Sequence, residues 1–236
     1  MGMDKSKRRF MLFTACVCCS PEVFCVEKTN ISPGLSFSSE SLFLTFDLCS
    51  GGVDWNILQW CKDNNVRSTL FMTAIWIKNN PKAVAWIKEN IALFKIGNHG
   101  DRHHAAVLGG RAPYGLKNVT TIKDLESEVN SGAEAVMKEF GVYPRWYRSA
   151  GAEYSKLSVD WLEKNQFNVA GFSINADHGA TSSKAQILKS LRLAKPGDVL
   201  LFHGNRPNSN ASSALRDWSL SWGGNRPKFD VLPLIV

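Results

Sequence analysis

The chain has 236 residues, of which 44% are hydrophobic, 11% aromatic and 21% charged; this composition is typical of a globular domain and excludes collagen-like, coiled-coil and intrinsically disordered proteins. No apolar run approaches the roughly 20 residues that span a bilayer, which excludes an integral membrane protein. The formal net charge of +7 favours an anionic neighbour such as nucleic acid, a membrane surface or an acidic wall polymer, and selects none of them. The basic residues beyond the N-terminus are scattered, so we expect solvated helix faces and no nucleic-acid partner.

The first 25 residues have the pattern of an export signal. Four basic residues lie between positions 5 and 9, and a short apolar run follows over residues 10–19. A basic segment followed by a short apolar segment is typical of a secretory signal peptide, so we predict that residues 1–25 are removed and that the protein is periplasmic or secreted. Residues 13–16 (FTAC) also resemble a lipoprotein signal, which would give a lipid-anchored form; the alternative is a frayed cytosolic extension.

From residue 41 onward, predicted strands alternate with predicted helices. The strands are predicted over residues 41–47, 66–72, 93–96, 145–148, 169–174, 199–202 and 231–236. The helices are predicted after a cap at Asp54 and over residues 83–90, 121–140, 159–164 and 184–193. Short strands that alternate with helices indicate an α/β fold with a parallel sheet, open or closed into a barrel. We predict a single domain over residues 26–236.

All five histidines lie at or just beyond the C-terminal end of a predicted strand: His99, His103, His104, His178 and His203. Folds of the α/β class place their active sites at that edge of the sheet. His99 and His103 are four residues apart on one side of a turn, so their imidazoles could bind one cation, and His104 could replace His103. Position 100 is glycine, which excludes the zincin motif, where glutamate serves as the base.

Three other polar residues follow strand ends and could act with these histidines. Asp47 could supply a carboxylate or cap a turn, and Arg148 could hold a carboxylate ionised or lie at the surface. Asp177 could orient a histidine or cap a helix, and His203 could donate a proton near neutral pH. Together these groups indicate metal-assisted hydrolysis.

Five segments, taken in order, resemble the five motifs of the polysaccharide deacetylases with the NodB homology domain, carbohydrate esterase family 4. They are LTFD (44–47), IGNHGDRH (96–103), WYRSAG (146–151), NADH (175–178) and GDVLLFH (197–203). The resemblance spans about residues 41–205. It implies a distorted (β/α) barrel of about seven parallel strands, a bound Zn²⁺ or another divalent transition metal, and the removal of acetyl groups from an acetylated glycan polymer.

The resemblance also implies a role for each matching residue of this chain: His99 and His103 as metal ligands, Asp47 as general base, Arg148 as the residue that orients the base, His203 as general acid and Asp177 as the residue that tunes the acid. The base would deprotonate the attacking water, and protonated His203 would deliver a proton to the departing sugar nitrogen or oxygen.

The chain departs from the family pattern at Leu48, where the family usually has a second aspartate that binds the metal. Two histidines alone are fewer ligands than zinc sites normally have. Asp47 could serve as both base and ligand, or Cys49 could contribute a thiolate; otherwise the site is poor in metal and the protein only binds glycan. Asp54 and Asp101 are more distant candidates.

The leading hypothesis is therefore an exported metal-dependent deacetylase of an N-acetylglucosamine-containing glycan. Export and the lack of a chitin-binding module in this sequence favour bacterial peptidoglycan over chitin, and O-acetylated xylan stays open. A catalytically weak or silent glycan-binding homologue and a small-molecule amide hydrolase are the alternatives. Ser149 and Ala150 stand in place of the usual prolines and His178 in place of a tryptophan, so we expect a substrate groove of different shape.

Overall fold

The computed structural model describes residues 30–111 and 113–235, so the predicted leader lies outside the described residues. Within them the elements follow one another as β1 (Ser41–Leu48), α1 (Trp55–Asp63), β2 (Ser68–Met72), α2 (Ala74–Asn79), α3 (Pro81–Glu89), β3 (Phe94–Asn98), α4 (Ile122–Phe140), β4 (Trp146–Tyr147), α5 (Lys156–Lys164), β5 (Asn168–Val169), β6 (Ile174–Asn175), α6 (Lys184–Leu193), β7 (Val199–His203), α7 (Ala211–Leu220) and β8 (Lys228–Phe229). None of these helices is both long and apolar enough to cross a bilayer.

Seven strands form a parallel half-barrel in the order β5-β4-β3-β2-β1-β7-β6, and β8 pairs in parallel with the start of β1. The strands β5 and β6 lie at the two ends of this order. The predicted single α/β domain with about seven parallel strands is confirmed. The structure also decides the question that the sequence left open, because the sheet curves as a half-barrel with helices packed on its outer side.

Alternation along β1 explains how one strand supplies both the core and the cavity. Leu44, Phe46 and Leu48 belong to the large apolar cluster that includes residues of α1 and α7. Phe43 belongs to a separate cluster on the inner side of the sheet. Because successive side chains of a strand point to opposite faces, Asp47 at the end of β1 shares the inner side with Phe43.

The opening between the ends of the sheet is bridged by the chain that precedes β1. Backbone N–H groups of Leu35 and Phe37 donate to the carbonyl oxygens of Phe172 and Gly197, at 3.3 and 2.9 Å. A Cβ atom on Gly171 would lie 1.8 Å from a carbonyl oxygen of this segment. Glycine is therefore required where the segment crosses the opening.

Three expectations differ from the structure. The strand predicted over residues 169–174 is two short strands, β5 and β6, on opposite ends of the sheet. The helices α2 and α7 were not predicted, because α2 has only six residues and α7 begins with small and polar ones. The closing strand predicted over 231–236 is wrong for residues 231–235, and the strand lies at β8 instead. The backbone of that segment hydrogen-bonds to side chains in place of a neighbouring strand: Thr69 Oγ1 accepts the N–H of Leu232 at 3.0 Å.

Candidate active site

A cavity of about 420 Å³ opens at the carboxyl ends of the strands. β1 brings Asp47 to it, β7 brings His203, and the loop after β3 brings His99 and His103. Its lining comprises Asp47, Cys49, Ser50, His99, His103, Tyr114, Leu116, Gly151, Phe172, Asn175, His178, Gly179, Thr181, Leu201, His203, Asn205 and Arg206. Four of the strand-end residues that the sequence analysis identified therefore line one cavity, although they come from segments that are remote from one another in sequence: Asp47, His99, His103 and His203.

Asp47 and Arg148 form a buried ion pair beneath this cavity. Arg148 is fully buried, and its Nη1 donates to Asp47 Oδ1 at 2.9 Å and to Thr45 Oγ1 at 2.8 Å. Its Nη2 donates to the carbonyl oxygen of Gly171 at 2.8 Å, and its guanidinium lies 4.2 Å from the ring centre of Phe71. Burial alone would raise the pKa of Asp47, but the charge of Arg148 and those of neighbouring histidines outweigh burial and lower it.

His203 and Asp177 form a second pair beside the first, since His203 on β7 is the register partner of Asp47 on β1. The buried Asp177 carboxylate accepts the backbone N–H of His203 at 2.7 Å and its ring Nδ1–H at 2.9 Å. This fixes the imidazole so that Nε2 is left free. Burial would lower the pKa of His203, but the hydrogen bond and the charge of Asp177 outweigh it and raise that pKa. His203 is therefore suited to carry a proton near neutral pH.

Cys49, His99 and His103 form a cluster that could hold a metal ion. One ligand atom from each lies within 4.8 Å of the others, and Cys49 Sγ lies 3.4 Å from His99 Nε2. The Nδ1–H of His99 donates to the carbonyl oxygen of Arg148 at 2.7 Å. That bond leaves the Nε2 lone pair directed at the cluster, as metal-binding histidines require.

The protonation states of this cluster fit a metal. Burial lowers the pKa of His99; burial, followed by the charge of His99, lowers the pKa of His103 to about 3, so both imidazoles are neutral at physiological pH. Burial and the charge of Asp47 raise the pKa of the Cys49 thiol well above its usual range. A cation would have to displace the thiol proton, as zinc does. One sulfur and two nitrogens with an open position form a donor set suited to catalytic zinc.

Leu48 lies in the core, and its two neighbours face the cavity. Leu48 is 1% exposed, packs in the core beneath the helices and does not line the cavity. Its neighbours Asp47 and Cys49 do line it, as alternation along a strand requires. Asp47 Oδ2 lies 3.7 Å from His99 Nε2, while its other oxygen is held by Arg148. The thiol of Cys49 therefore lies where, once deprotonated, it could serve as an anionic ligand together with His99 and His103. Asp47 lies next to this cluster.

Other candidate ligands lie elsewhere. Asp54 caps α1, accepting the N–H groups of Asn56 and Ile57. His104 and Asp101 do not line the cavity; their backbone N–H groups donate to the Glu128 side chain and carbonyl oxygen. His178 does line the cavity, and its Nδ1 lies 3.3 Å from Ser182 Oγ.

Sequence reasoning missed several lining residues, including Tyr114, Phe172 and Arg206. Arg206 lies three residues after His203 in the same loop, a proximity that could have identified it. Tyr114 is 81% exposed and has a φ of 51°, in a loop without periodic pattern. Phe172 lies between two strands that were predicted as one.

Both a family sequence model and solved structures resemble this chain. A sequence model of the polysaccharide deacetylase family matches residues 35–170, whereas no curated protein matches the chain. A family 4 carbohydrate esterase pseudoenzyme from Bacillus anthracis has a similar structure, with a TM-score of 0.67 and 16% identity over 83% of this chain. The chain spans 64% of the length of that pseudoenzyme.

Two further solved structures cover most of this chain. A peptidoglycan N-acetylglucosamine deacetylase aligns with a TM-score of 0.68 and 20% identity, over 86% of this chain and 89% of its own. A family 4 carbohydrate esterase from Streptomyces lividans, in complex with acetate, aligns with a TM-score of 0.64 and 19% identity, over 79% and 89%. At these identities the likeness establishes a shared fold.

Proposed function

The chain belongs to the polysaccharide deacetylase family, whose sequence model matches more than half of it, and on that premise we propose that it is a metal-dependent hydrolase that removes acetyl groups from the N-acetylglucosamine units of bacterial peptidoglycan. The observation that carries this proposal is the arrangement of three groups around one cavity. A carboxylate whose pKa is lowered by Arg148 and a histidine whose pKa is raised by Asp177 lie beside a cluster of thiol and imidazole donors.

Cys49, His99 and His103 would hold the metal, for which we propose zinc. A divalent cation bound there would polarise the acetyl carbonyl and make a nearby water more acidic. Asp47 then accepts the proton of the attacking water, and Arg148 keeps that carboxylate ionised and oriented. Protonated His203 donates its proton to the departing sugar nitrogen, while Asp177 holds the imidazole in the required tautomer.

The charge of the cavity supports peptidoglycan over a neutral glycan. Arg148 balances Asp47, and His203 balances Asp177, each at 2.9 Å. Arg206 also lines the cavity, and no carboxylate of the described residues lies within ion-pairing distance of its guanidinium. Peptidoglycan carries free carboxylates on its stem peptides, whereas chitin carries none, so Arg206 favours the acidic polymer.

Export belongs to the same proposal, since an enzyme of the cell wall must leave the cytoplasm. It rests on the signal-like pattern of residues 1–25. Because residues 13–16 (FTAC) resemble a lipoprotein signal, the alternative form of this proposal is export followed by lipid anchoring at the cysteine of that segment.

The test is acetate release from peptidoglycan and from N-acetylglucosamine oligomers, by zinc-repleted protein and by a chelated control. We expect chelator-sensitive release, its loss in His99→Ala and His103→Ala, and its retention in the matched control His104→Ala. Arg206→Gln should lower kcat/KM on peptidoglycan severalfold and leave the neutral oligomers unaffected, with Arg216→Gln as control. Chelator-insensitive release, or none from either substrate, would contradict the proposal.

A glycan-binding protein without turnover is the second candidate, favoured by the apolar residue at Leu48. It predicts binding of the same glycans with unchanged affinity in His203→Ala and no acetate release from any variant.

A further inference from the structure

One buried side chain of α4 holds the loop that carries His99 and His103. Glu128 is fully buried, and its Oε1 accepts the backbone N–H groups of Arg102 and His104, both at 3.0 Å. The residue between these two donors is His103. The carboxylate therefore restrains the chain immediately before and after a proposed metal ligand.

The backbone of His103 requires such a restraint. Its φ is 63°, in the left-handed region that residues with a Cβ rarely adopt. A conformation of this kind persists only where surrounding contacts hold it. The two hydrogen bonds to Glu128 are contacts of that type, since they fix the peptide groups flanking the strained residue.

Two glycines give α4 and this loop room to approach. Gly100 has a φ of 89°, and a Cβ on it would lie 2.4 Å from Glu128 Oε1. A Cβ on Gly132 of α4 would lie 2.6 Å from the carbonyl carbon of Gly100. The backbone N–H of Asp101 also donates to the carbonyl oxygen of Glu128 at 2.9 Å. The space beside Gly100 is therefore occupied by the carboxylate itself.

We propose that Glu128 is a positioning residue for the metal site: it holds His103 in the left-handed conformation that brings its imidazole to Cys49 and His99. This inference rests on the metal site of the proposed function. Glu128 does not line the cavity, so it acts through His103 and not on the substrate. Outer partners of this kind typically contribute 10- to 100-fold to metal affinity.

The test is a double-mutant cycle on zinc affinity, measured by competition with a chromophoric chelator. Glu128→Gln is nearly isosteric, but its amide N–H₂ would replace Oε2, which accepts the backbone N–H of Arg102 at 3.2 Å and its guanidinium Nε–H at 3.3 Å. Donors would then face donors beside His103, so we expect zinc affinity to fall by about 10- to 100-fold. In a His103→Ala background the same change should have no further effect. Glu134→Gln, an exposed position on the same helix, is the matched control and should bind zinc as the parent protein does. The absorption spectrum of the cobalt-substituted protein should change in Glu128→Gln and stay unchanged in Glu134→Gln.

Unchanged zinc affinity in Glu128→Gln would overturn the inference, as would an equal loss in the His103→Ala background, which would indicate general loosening. Unchanged affinity in His103→Ala itself would also overturn it. If Glu128→Gln fails to fold, Gly100→Ala, whose methyl group would displace the carboxylate, enters the same cycle. The measurement needs no turnover, so a protein that binds zinc through His103 yet releases no acetate contradicts the proposed function and leaves this inference standing.

Discussion

At the scale of single residues, Asp177 determines when His203 can act as an acid. The carboxylate accepts two hydrogen bonds from His203 and raises its pKa against the effect of burial. The pair therefore stabilises the fold fully below the ordinary histidine pKa, and that contribution is lost as pH rises through the raised folded-state pKa.

We expect Asp177→Asn to shift the alkaline limb of the pH profile of kcat to lower pH by about one unit, because a neutral amide no longer favours the protonated imidazole. The measurement is acetate release across pH at saturating substrate, with zinc content determined in parallel. An alkaline limb that stays in place would show that His203 is not the group that titrates there.

The second residue-scale prediction concerns Cys49. Since even outer partners contribute 10- to 100-fold, removing a ligand in Cys49→Ala should lower zinc affinity by about 100-fold or more. Cobalt loaded into the parent protein should show a thiolate charge-transfer band that Cys49→Ala lacks. Cys61→Ala is the matched control, because Cys61 is also a buried free thiol but lies in α1 away from the cavity. A charge-transfer band retained in Cys49→Ala would exclude the thiolate ligand.

At the scale of elements, the start of α1 depends on a buried cap. Asp54 Oδ1 accepts the N–H groups of Asn56 and Ile57 at 3.1 and 3.4 Å, and its backbone N–H donates to Gly204, next to His203. Burial raises the pKa of Asp54. Ionisation is therefore easier in the unfolded chain, and stability from this group declines as pH rises through the two pKa values.

We expect Asp54→Ala to lower the free energy of unfolding by about 1 kcal/mol, the usual effect of losing an N-cap. Asp54→Asn keeps an oxygen acceptor without burying a charge, so it should be at least as stable as the parent protein at pH 7. Urea unfolding at pH 7 compares the three proteins. A loss in Asp54→Asn equal to that in Asp54→Ala would mean that the charge, not the acceptor, stabilises the cap.

At the scale of the whole molecule, Arg148 connects distant parts of the half-barrel. It hydrogen-bonds to Thr45 and Asp47 on the inner strand β1 and to Gly171 between the end strands β5 and β6, so one guanidinium connects the middle of the sheet to the segment between its ends. The same side chain therefore holds the Asp47 carboxylate and connects β1 to the segment between β5 and β6.

Arg148→Met should lower the free energy of unfolding by about 3–5 kcal/mol, because it leaves the Asp47 charge buried without a partner. The double variant Asp47→Asn, Arg148→Met should lose less, since no unpaired charge remains. Arg145→Met, an exposed neighbour, is the control. Urea unfolding of the metal-free proteins measures all three, and a double variant less stable than Arg148→Met would contradict the argument.

The sequence predicted the fold class because its apolar periodicity is local: β1 and α4 are long and strongly patterned, and their bounds agree with the structure to within one residue. The bounds of β5 and β6 were predicted wrongly because strands of two residues carry too little pattern, and because the partly buried Phe172 lies between them without belonging to a strand. The tail after β8 failed because side chains from other strands, such as Thr69, satisfy its backbone.

For the site, the sequence by itself determined which residues stand at strand ends, and hence that Asp47, His99, His103 and His203 share one edge of the sheet. Only the tertiary structure decided which of them meet. Whether Cys49 or Leu48 faces the cavity depends on the alternation of β1 against its neighbours. The loop at His103 is hydrogen-bonded to Glu128 of α4 through the N–H groups of Arg102 and His104, and Glu128 is remote from that loop in sequence. Distances between segments remote in sequence arise from packing, and no local pattern encodes them.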